Sequence, residues 1–286
     1  MPESLKDRTM IMSGGSRGIG LAIAVRAARD GANVTILAKT DEPHPKLPGT
    51  VHTAVEEIEE AGGQGLAIVG DVREDDDIER AVSECVEKFG GIDICVNNAS
   101  AINLAKTPDL QPKHYDLMAD INTRGTFMLS RACIPYLEKS ENAHILTLSP
   151  PIDLQPKWAG ANLGYTLAKY GMSLCTLGLA EELKDRSIAA NSLWPRTMIA
   201  TAAVQNLLGG EEAMNQSRTP EIIADAAHAI FKRPAAECTG NFFIDDEVLA
   251  EEGVTDLDQY YEGEGEPAVD LFLEGAGGPV SEAPTA

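Results

Sequence analysis

No stretch of this 286-residue chain is apolar for long enough to span a bilayer, and no basic-then-apolar leader opens it. Both absences point away from a membrane protein and toward the cytoplasm. Five cysteines, Cys85, Cys95, Cys133, Cys175 and Cys238, are scattered and odd in number, which argues against a disulfide framework and suits reduced thiols. His44, His52, His114, His144 and His228 are equally dispersed, so no metal site is expected. Basic charge is scarce as well: 23 Lys and Arg face 45 Asp and Glu, a formal net charge of −22. Such a surface repels phosphate backbones and anionic lipid, so neither nucleic acid nor membrane is expected as a partner. From Asp245 onward there are 13 acidic residues and no Lys or Arg, whereas the body before it carries 32 acidic and 23 basic. Much of the excess therefore belongs to the tail. It fits either a host with a salty cytoplasm or an ordinary acidic protein with a disordered end.

What the chain does have is alternation. Apolar runs near 8–12, 33–37, 65–69, 92–96, 143–148, 188–194 and 241–245 read as strands. Helical patterns lie near 19–30, 51–61, 75–89, 113–138, 163–185, 199–208 and 220–232. Strand and helix in turn predict an α/β fold with a parallel sheet. The length fits one large catalytic domain, 1–250, followed by an acidic tail, 251–286. In that tail Leu257, Tyr260, Tyr261 and residues 269–273 are apolar enough to dock on the body or on a neighbouring subunit. Residues 275–286 read as disordered, and 39–49, with three prolines, as an ordered loop.

Chemistry enters at two places. Thr9, Met10, Ile11 and Met12 form a strand-like run, followed by Ser13-Gly14-Gly15-Ser16-Arg17-Gly18-Ile19-Gly20 and an amphipathic stretch. Strand, glycine turn and helix is the setting in which such a motif binds a dinucleotide. The glycines permit a tight turn and close approach, and the helix N-terminus offers amide groups to a pyrophosphate. Far downstream, Tyr165 and Lys169 stand at i and i+4 in a helical run and share a face. A phenol with pKa near ~10 shuttles protons poorly at neutral pH, and a fixed cation beside it favours the phenolate. The pair is a candidate proton donor/acceptor with its tuning charge.

Together these residues resemble the short-chain dehydrogenase/reductase family across residues 8–250. The resemblance assigns Gly14, Gly15, Ser16, Arg17, Gly18, Ile19 and Gly20 to the cofactor loop, and Asp71 and Val72 to the adenine contact. Asn98 and Ala99 fall in an Asn-Asn-Ala turn, and Pro195 in the turn that faces the nicotinamide amide. It makes Tyr165 the proton donor/acceptor. Lys169 would lower the tyrosine pKa and bind the nicotinamide ribose, and Asn122 would bend its helix and hold a water. The closer likeness is to the hydroxysteroid dehydrogenase-like branch, through Ala38-Lys39-Thr40, His44-Pro45-Lys46, 145–151 and Trp194-Pro195-Arg196-Thr197. Larger members of that branch carry a sterol-carrier domain, which this chain stops too early to contain. The resemblance implies a doubly wound, Rossmann-type seven-stranded parallel sheet with helices on both faces. It also implies hydride transfer between a nicotinamide and a carbonyl or alcohol carbon.

Cofactor choice turns on the end of the second strand, where an NAD enzyme favours an acid for the ribose. Lys39 stands there instead, with Arg17 in the glycine loop, and two cations favour NADP over NAD. Asp41 is the counter-indication. The serine that polarises the substrate oxygen in the family is replaced by Pro150, which has neither a hydroxyl nor an amide hydrogen. Either Ser149 takes the role, or another donor or a water serves, or catalysis is slow. A lost polarising donor costs about two to three orders of magnitude in rate. Arg196, where glycine is usual, is a candidate for an anionic substrate group. Apolar Trp158, Leu163 and Met198 point to a small-molecule ketone or secondary alcohol that is lipid-like or small and hydrophobic. The alternative is an NADP-binding regulator or scaffold with little turnover. Helical patterns 113–138 and 163–185 carry Met118, Ile121, Phe127, Leu129, Met172, Leu174, Leu177 and Leu179 on more than one side. A second apolar stripe needs a second partner, and in relatives these helices form a two-fold interface, implying a homodimer or homotetramer.

Overall fold

The apolar runs become seven strands: β1 (Thr9–Ser13), β2 (Asn33–Ala38), β3 (Gln64–Val69), β4 (Ile94–Asn97), β5 (Ala143–Thr147), β6 (Ile188–Trp194) and β7 (Phe242–Ile244). The computed structural model describes residues 4–44 and 47–275. All strands are parallel, in the order β3-β2-β1-β4-β5-β6-β7. Chain order reverses between β1 and β4, where Ser13 pairs with Asn97. Ligands of such sheets bind beyond the carboxyl ends of the strands at that reversal.

Helices connect the strands: α1 (Gly18–Ala28), α2 (Val51–Glu60), α3 (Asp75–Phe89), α4 (Pro112–Met118), α5 (Gly125–Leu137), α6 (Pro156–Ala161), α7 (Leu163–Glu182), α8 (Ala202–Leu207), α9 (Gly210–Asn215), α10 (Glu221–Lys232) and α11 (Asp245–Glu251). Alternation along β1 divides the core. Met10 and Met12 join Ile23, Val51, Ile58, Ile222 and Ile230 of α1, α2 and α10 on one face. Ile11, between them, joins Ile78, Val82, Leu129, Cys133 and Leu179 of α3, α5 and α7 on the other. Local signals set the ends. Thr50 and Thr53 close a reciprocal capping box on α2, and Gly90, at φ 87°, ends α3 in the left-handed region.

The pattern over 113–138 is not one helix. A π-turn, Ala119–Arg124, separates α4 from α5, and it carries Asn122. The pattern over 199–208 shortens to α8 because the Thr201 hydroxyl accepts from the Val204 amide and caps it. Three short helices, α6, α9 and α11, were not legible as patterns. In the tail, the Tyr260 hydroxyl donates to Asp225 at 2.7 Å, and Phe272 and Leu273 are buried on the body of the same chain. Of the stretch expected to be disordered, 276–286 lies outside the described residues. Met118, Leu129, Met172 and Leu179 are buried within the subunit, while Phe127, Leu174 and Leu177 stay exposed, together with Leu163 and Leu167.

His144 on β5 is also buried. Its Nε2 lies 3.1 Å from the Arg233 carbonyl, and its Nδ1 has no partner among the described residues. Burial holds its pKa down to about 4, against the opposing bond to Arg233. The folded imidazole is therefore neutral where the unfolded one, ordinarily at 6.5, already takes a proton. Stability must fall as pH drops from 6.5 toward 4, by roughly 3 kcal/mol for a histidine this deep. His144→Gln keeps an N–H donor without a titrating base. It is expected to flatten the decline of Tm with acid over that window; parallel Tm–pH curves for variant and wild type would refute the assignment.

Candidate active site

The glycine loop rests directly on the turn after β4. Gly14 has φ +74°, and a Cβ there would stand 2.8 Å from the Ala99 Cα. At Gly20 a Cβ would meet the Asn98 side chain and the Gly14 carbonyl, both at 2.6 Å. Asn98 Nδ2 donates to that carbonyl at 2.7 Å, and the Ala99 amide donates to the Ser13 hydroxyl at 3.2 Å. Gly18, at φ +55°, opens α1. No side chain caps that helix and its first turn holds no acid, so the amides near Gly18, Ile19 and Gly20 stay open to an anion. Ser16 is buried and Ile19 packs on the core. A backbone cradle this close and this unhindered fits the pyrophosphate of a dinucleotide.

Around it the predicted cations are engaged. Arg17 donates to the carbonyls of Pro48 at 2.9 Å and Gly49 at 2.8 Å, and to the Thr40 hydroxyl at 2.9 Å, so it ties the 40s loop to the glycine loop. Lys39, largely exposed, pairs with Asp71 at 2.9 Å. Arg73 also bonds Asp71, at 2.6 Å through one terminal nitrogen. Burial would raise the Asp71 pKa, but the bonds from Arg73 and Lys39 outweigh it and hold the carboxylate well below its usual range. Asp41 faces His52 at 2.7 Å. Val72 is buried and walls off Gly125, where a Cβ would meet it at 2.9 Å.

Tyr165 and Lys169 project from successive turns of α7 and are both buried. Lys169 Nζ donates to the Leu148 carbonyl at 2.8 Å and lies 5.1 Å from the centre of a Trp194 ring. Burial lowers the Lys169 pKa to about 7, despite the attraction of Asp270. Burial first, and then Asp270, pushes the Tyr165 phenol above its ordinary value. That is opposite to what a lysine one turn away gives in water, because desolvation dominates in so dry a setting. Asn122, fully buried in the π-turn, accepts from the Ala101 amide at 2.7 Å and donates to the Ala101 carbonyl at 3.0 Å. It clamps the chain leaving β4 against the π-turn between α4 and α5.

Two departures show clear geometry. The Ser149 hydroxyl bonds Ser192 at 2.8 Å, and Ser192 in turn donates to Thr176 at 2.9 Å, so it is enclosed in a buried hydroxyl chain. Pro150 gives its carbonyl to the Ser173 hydroxyl at 2.6 Å. Arg196 does not reach toward a substrate: its guanidinium is held by Asp246 at 3.1 Å and by Glu247, on the first turn of α11. Its amide donates to Asp245 at 2.8 Å, which fixes the turn after the buried Pro195.

Residues that motif reading missed come from distant segments. Thr201 sits against the glycine loop, 3.3 Å from a Cβ built on Gly18. Asp270 lies half-buried near Tyr165 and Lys169, and the desolvation of its carboxylate raises its pKa to about 7. Phe272 packs on Tyr165, with ring centres 6.0 Å apart. No local pattern marks Asp270 or Phe272; the one signal was the apolar run 269–273 in an otherwise polar tail. Among the described residues, no cluster of His, Cys, Asp and Glu is suited to a metal, and no helix is long and apolar enough to cross a membrane.

The sequence profile of the short chain dehydrogenase family matches residues 8–211. The chain belongs to that family. It is 55% identical over 267 residues to hydroxysteroid dehydrogenase-like protein 2 of Bos taurus, covering 93% of this chain and 63% of the relative. This chain thus spans less than two thirds of that protein. Among solved structures, a short chain dehydrogenase of Mycobacterium thermoresistibile is 57% identical with a TM-score of 0.90, covering 98% of this chain and all of the other. A dehydrogenase from Xanthomonas campestris, titled putative, is 54% identical with a TM-score of 0.92, covering 95% and 99%. Membership of the hydroxysteroid dehydrogenase-like branch of the family and the Rossmann-type fold follow from these likenesses.

Proposed function

We propose that the chain moves a hydride between NADP(H) and a ketone or secondary alcohol, lipid-like or small and hydrophobic, with Tyr165 as the proton donor/acceptor. The observation that carries this reading is that Tyr165 and Lys169 share α7, with Lys169 on the Leu148 carbonyl just past β5, while Thr123, beside Asn122, bonds the Ala168 carbonyl between them and Asn122 holds Ala101 just past β4. In it Tyr165 gives a proton to the carbonyl oxygen in reduction and takes one from the alcohol in oxidation. Lys169 supplies the nearby cation, and Asn122 holds the adjoining backbone. The cofactor supplies and accepts the hydride; Gly14, Gly18, Gly20, Asp71, Asn98 and Ala99 would hold it. The aromatic surroundings, Trp158, Tyr170, Trp194 and Phe272, favour an apolar substrate.

NADP is favoured by the position of Lys39. Its pair with Asp71 is solvent-exposed on the lysine side, and such pairs are worth little, so the ammonium is free to turn to a 2′-phosphate. Ser149 supports a second reading. With its hydroxyl committed to Ser192 and Pro150 beside it, the site has no serine donor for the substrate oxygen, as an NADP-binding regulator with little turnover would have. A panel of ketones with NADPH separates the two: cofactor binding without turnover across the panel favours the regulator.

On a ketone that is reduced, Tyr165→Phe is expected to lower turnover by about two to four orders of magnitude with NADPH affinity nearly unchanged, whereas Lys169→Ala weakens both. A Tyr165→Phe protein retaining most of its rate would remove Tyr165 from the chemistry. Lys39→Asp is expected to weaken NADPH binding about tenfold or more beyond any loss for NADH, since it sets a carboxylate against the phosphate; equal losses in titration would discard the NADP assignment. The exposed residues Phe127, Leu163, Leu167, Leu174 and Leu177 are expected to be covered by a second copy. Light scattering should then give a multiple of 30.5 kDa, and the monomer mass at micromolar concentration in low and high salt would defeat that expectation.

A further inference from the structure

Phe272 sits in an aromatic box. Its ring centre lies 5.4 Å from that of Tyr170, 6.0 Å from Tyr165, 6.0 Å from Trp194 and 6.4 Å from Trp158. Residues 268–274 bring it there by running antiparallel to the segment that follows β6. The Met198 amide donates to the Ala268 carbonyl at 2.9 Å, the Asp270 amide to the Arg196 carbonyl at 3.0 Å, and Thr197 bridges Val269 between them. The Trp194 indole nitrogen donates to the Leu271 carbonyl at 2.9 Å. With this strap in place Tyr165 is 5% exposed and Lys169 3%. A phenol that protonates a carbonyl must come within about 2.6–3.2 Å of its oxygen. One so covered offers no room for it.

The hold of the strap is limited. Phe272 has φ +71°, a left-handed conformation that costs a side-chain-bearing residue roughly 1–2 kcal/mol. Asp270 is half-buried, and its side chain receives a single bond among the described residues, from the adjacent Leu271 amide at 2.6 Å. Burial and the nearby Asp245 both disfavour its charge, and Lys169 and that one amide offset them in part. At the far end the strap is tied by Glu274 to Lys157 at 2.6 Å, an exposed pair worth little in water. Beside the backbone bonds, which include the Ala268 amide to the Gln216 carbonyl at 2.9 Å, aromatic stacking holds Phe272 itself, and another flat apolar group can supply the same.

We propose that residues 268–274 are a lid that seats Phe272 where the substrate lies beside Tyr165, so that the lid must lift for turnover. This rests on the reading of Tyr165 given above. It also narrows the ligand: a flat, apolar ketone that stacks among Trp158, Tyr170 and Trp194 in place of a phenyl ring.

The test locks the lid. Thr197 and Val269 are antiparallel bridge partners, a separation that suits a disulfide, and neither is assigned to the chemistry. In the Thr197→Cys/Val269→Cys protein the oxidised form is expected to reduce 2-tetralone with NADPH about tenfold or more slowly than the same protein after dithiothreitol. Equal rates before and after reduction would overturn the proposal. Hydrogen exchange reads the lid without any turnover. In the unliganded wild type the Met198 and Asp270 amides are expected to exchange about tenfold or more faster than those of β1, and the disulfide to abolish the difference. Exchange of these amides no faster than β1 would overturn the lid. Should no ketone be turned over, the Tyr165 reading fails by itself, and the exchange comparison still decides whether the lid opens.

Discussion

Everything in the site is referenced to the contact between the glycine loop and the turn after β4. The two strands carrying these segments are neighbours at the point where chain order reverses, so their exits diverge and leave a crevice. Gly14 and Gly20 let the backbones meet at a distance no side chain would allow, and Asn98 locks the contact with a bond to the Gly14 carbonyl. From that fixed edge the rest is measured outward. Asn122 holds Ala101, two residues past Ala99, against the π-turn, and Thr123 of that turn bonds the Ala168 carbonyl of α7 at 3.1 Å. Tyr165 and Lys169 are thereby placed relative to the cradle through side chain–backbone bonds rather than through flexible loops.

The second constraint is dryness. Tyr165 and Lys169 are buried and Asp270 stands half-buried beside them, and desolvation moves each of the three toward its neutral form. Lysine beside tyrosine describes an activated phenol only where the lysine keeps its charge. Burial here instead favours the neutral form of both groups. Charge and exposure are coupled at Lys169: water or a polar ligand that reaches its amine favours the ammonium, and a charged ammonium favours the phenolate of a neighbouring tyrosine.

Strands, their order of appearance and the glycine loop were legible because each rests on a short-range pattern: an apolar run of fixed length, or a glycine where φ is positive. Tyr165 and Lys169 were legible for the same reason, being one helical turn apart. Three things were not. The break at Ala119–Arg124 leaves no mark in a pattern that tolerates one extra residue. The engagement of Lys39 by Asp71 and of Arg196 by α11 joins residues 32 or more positions apart, and net charge does not say which cation meets which acid. The covering of Tyr165 by Phe272 spans more than a hundred residues. Single-residue spacing carries no information over that range.

The π-turn has a consequence for how this chain tolerates change. A turn closed by i→i+5 bonds contains one more residue than the α-helix around it. Excising a single residue between Ala119 and Arg124 would regularise the helix instead of breaking it. Because the wide turn absorbs its extra residue, the helix beyond it would keep its phase, and Leu129 and Cys133 would go on facing the sheet. What would close is the bulge that holds Asn122 against Ala101. The segment therefore uncouples the placement of Asn122 from the packing of the core, and a one-residue deletion there would act on the first and spare the second.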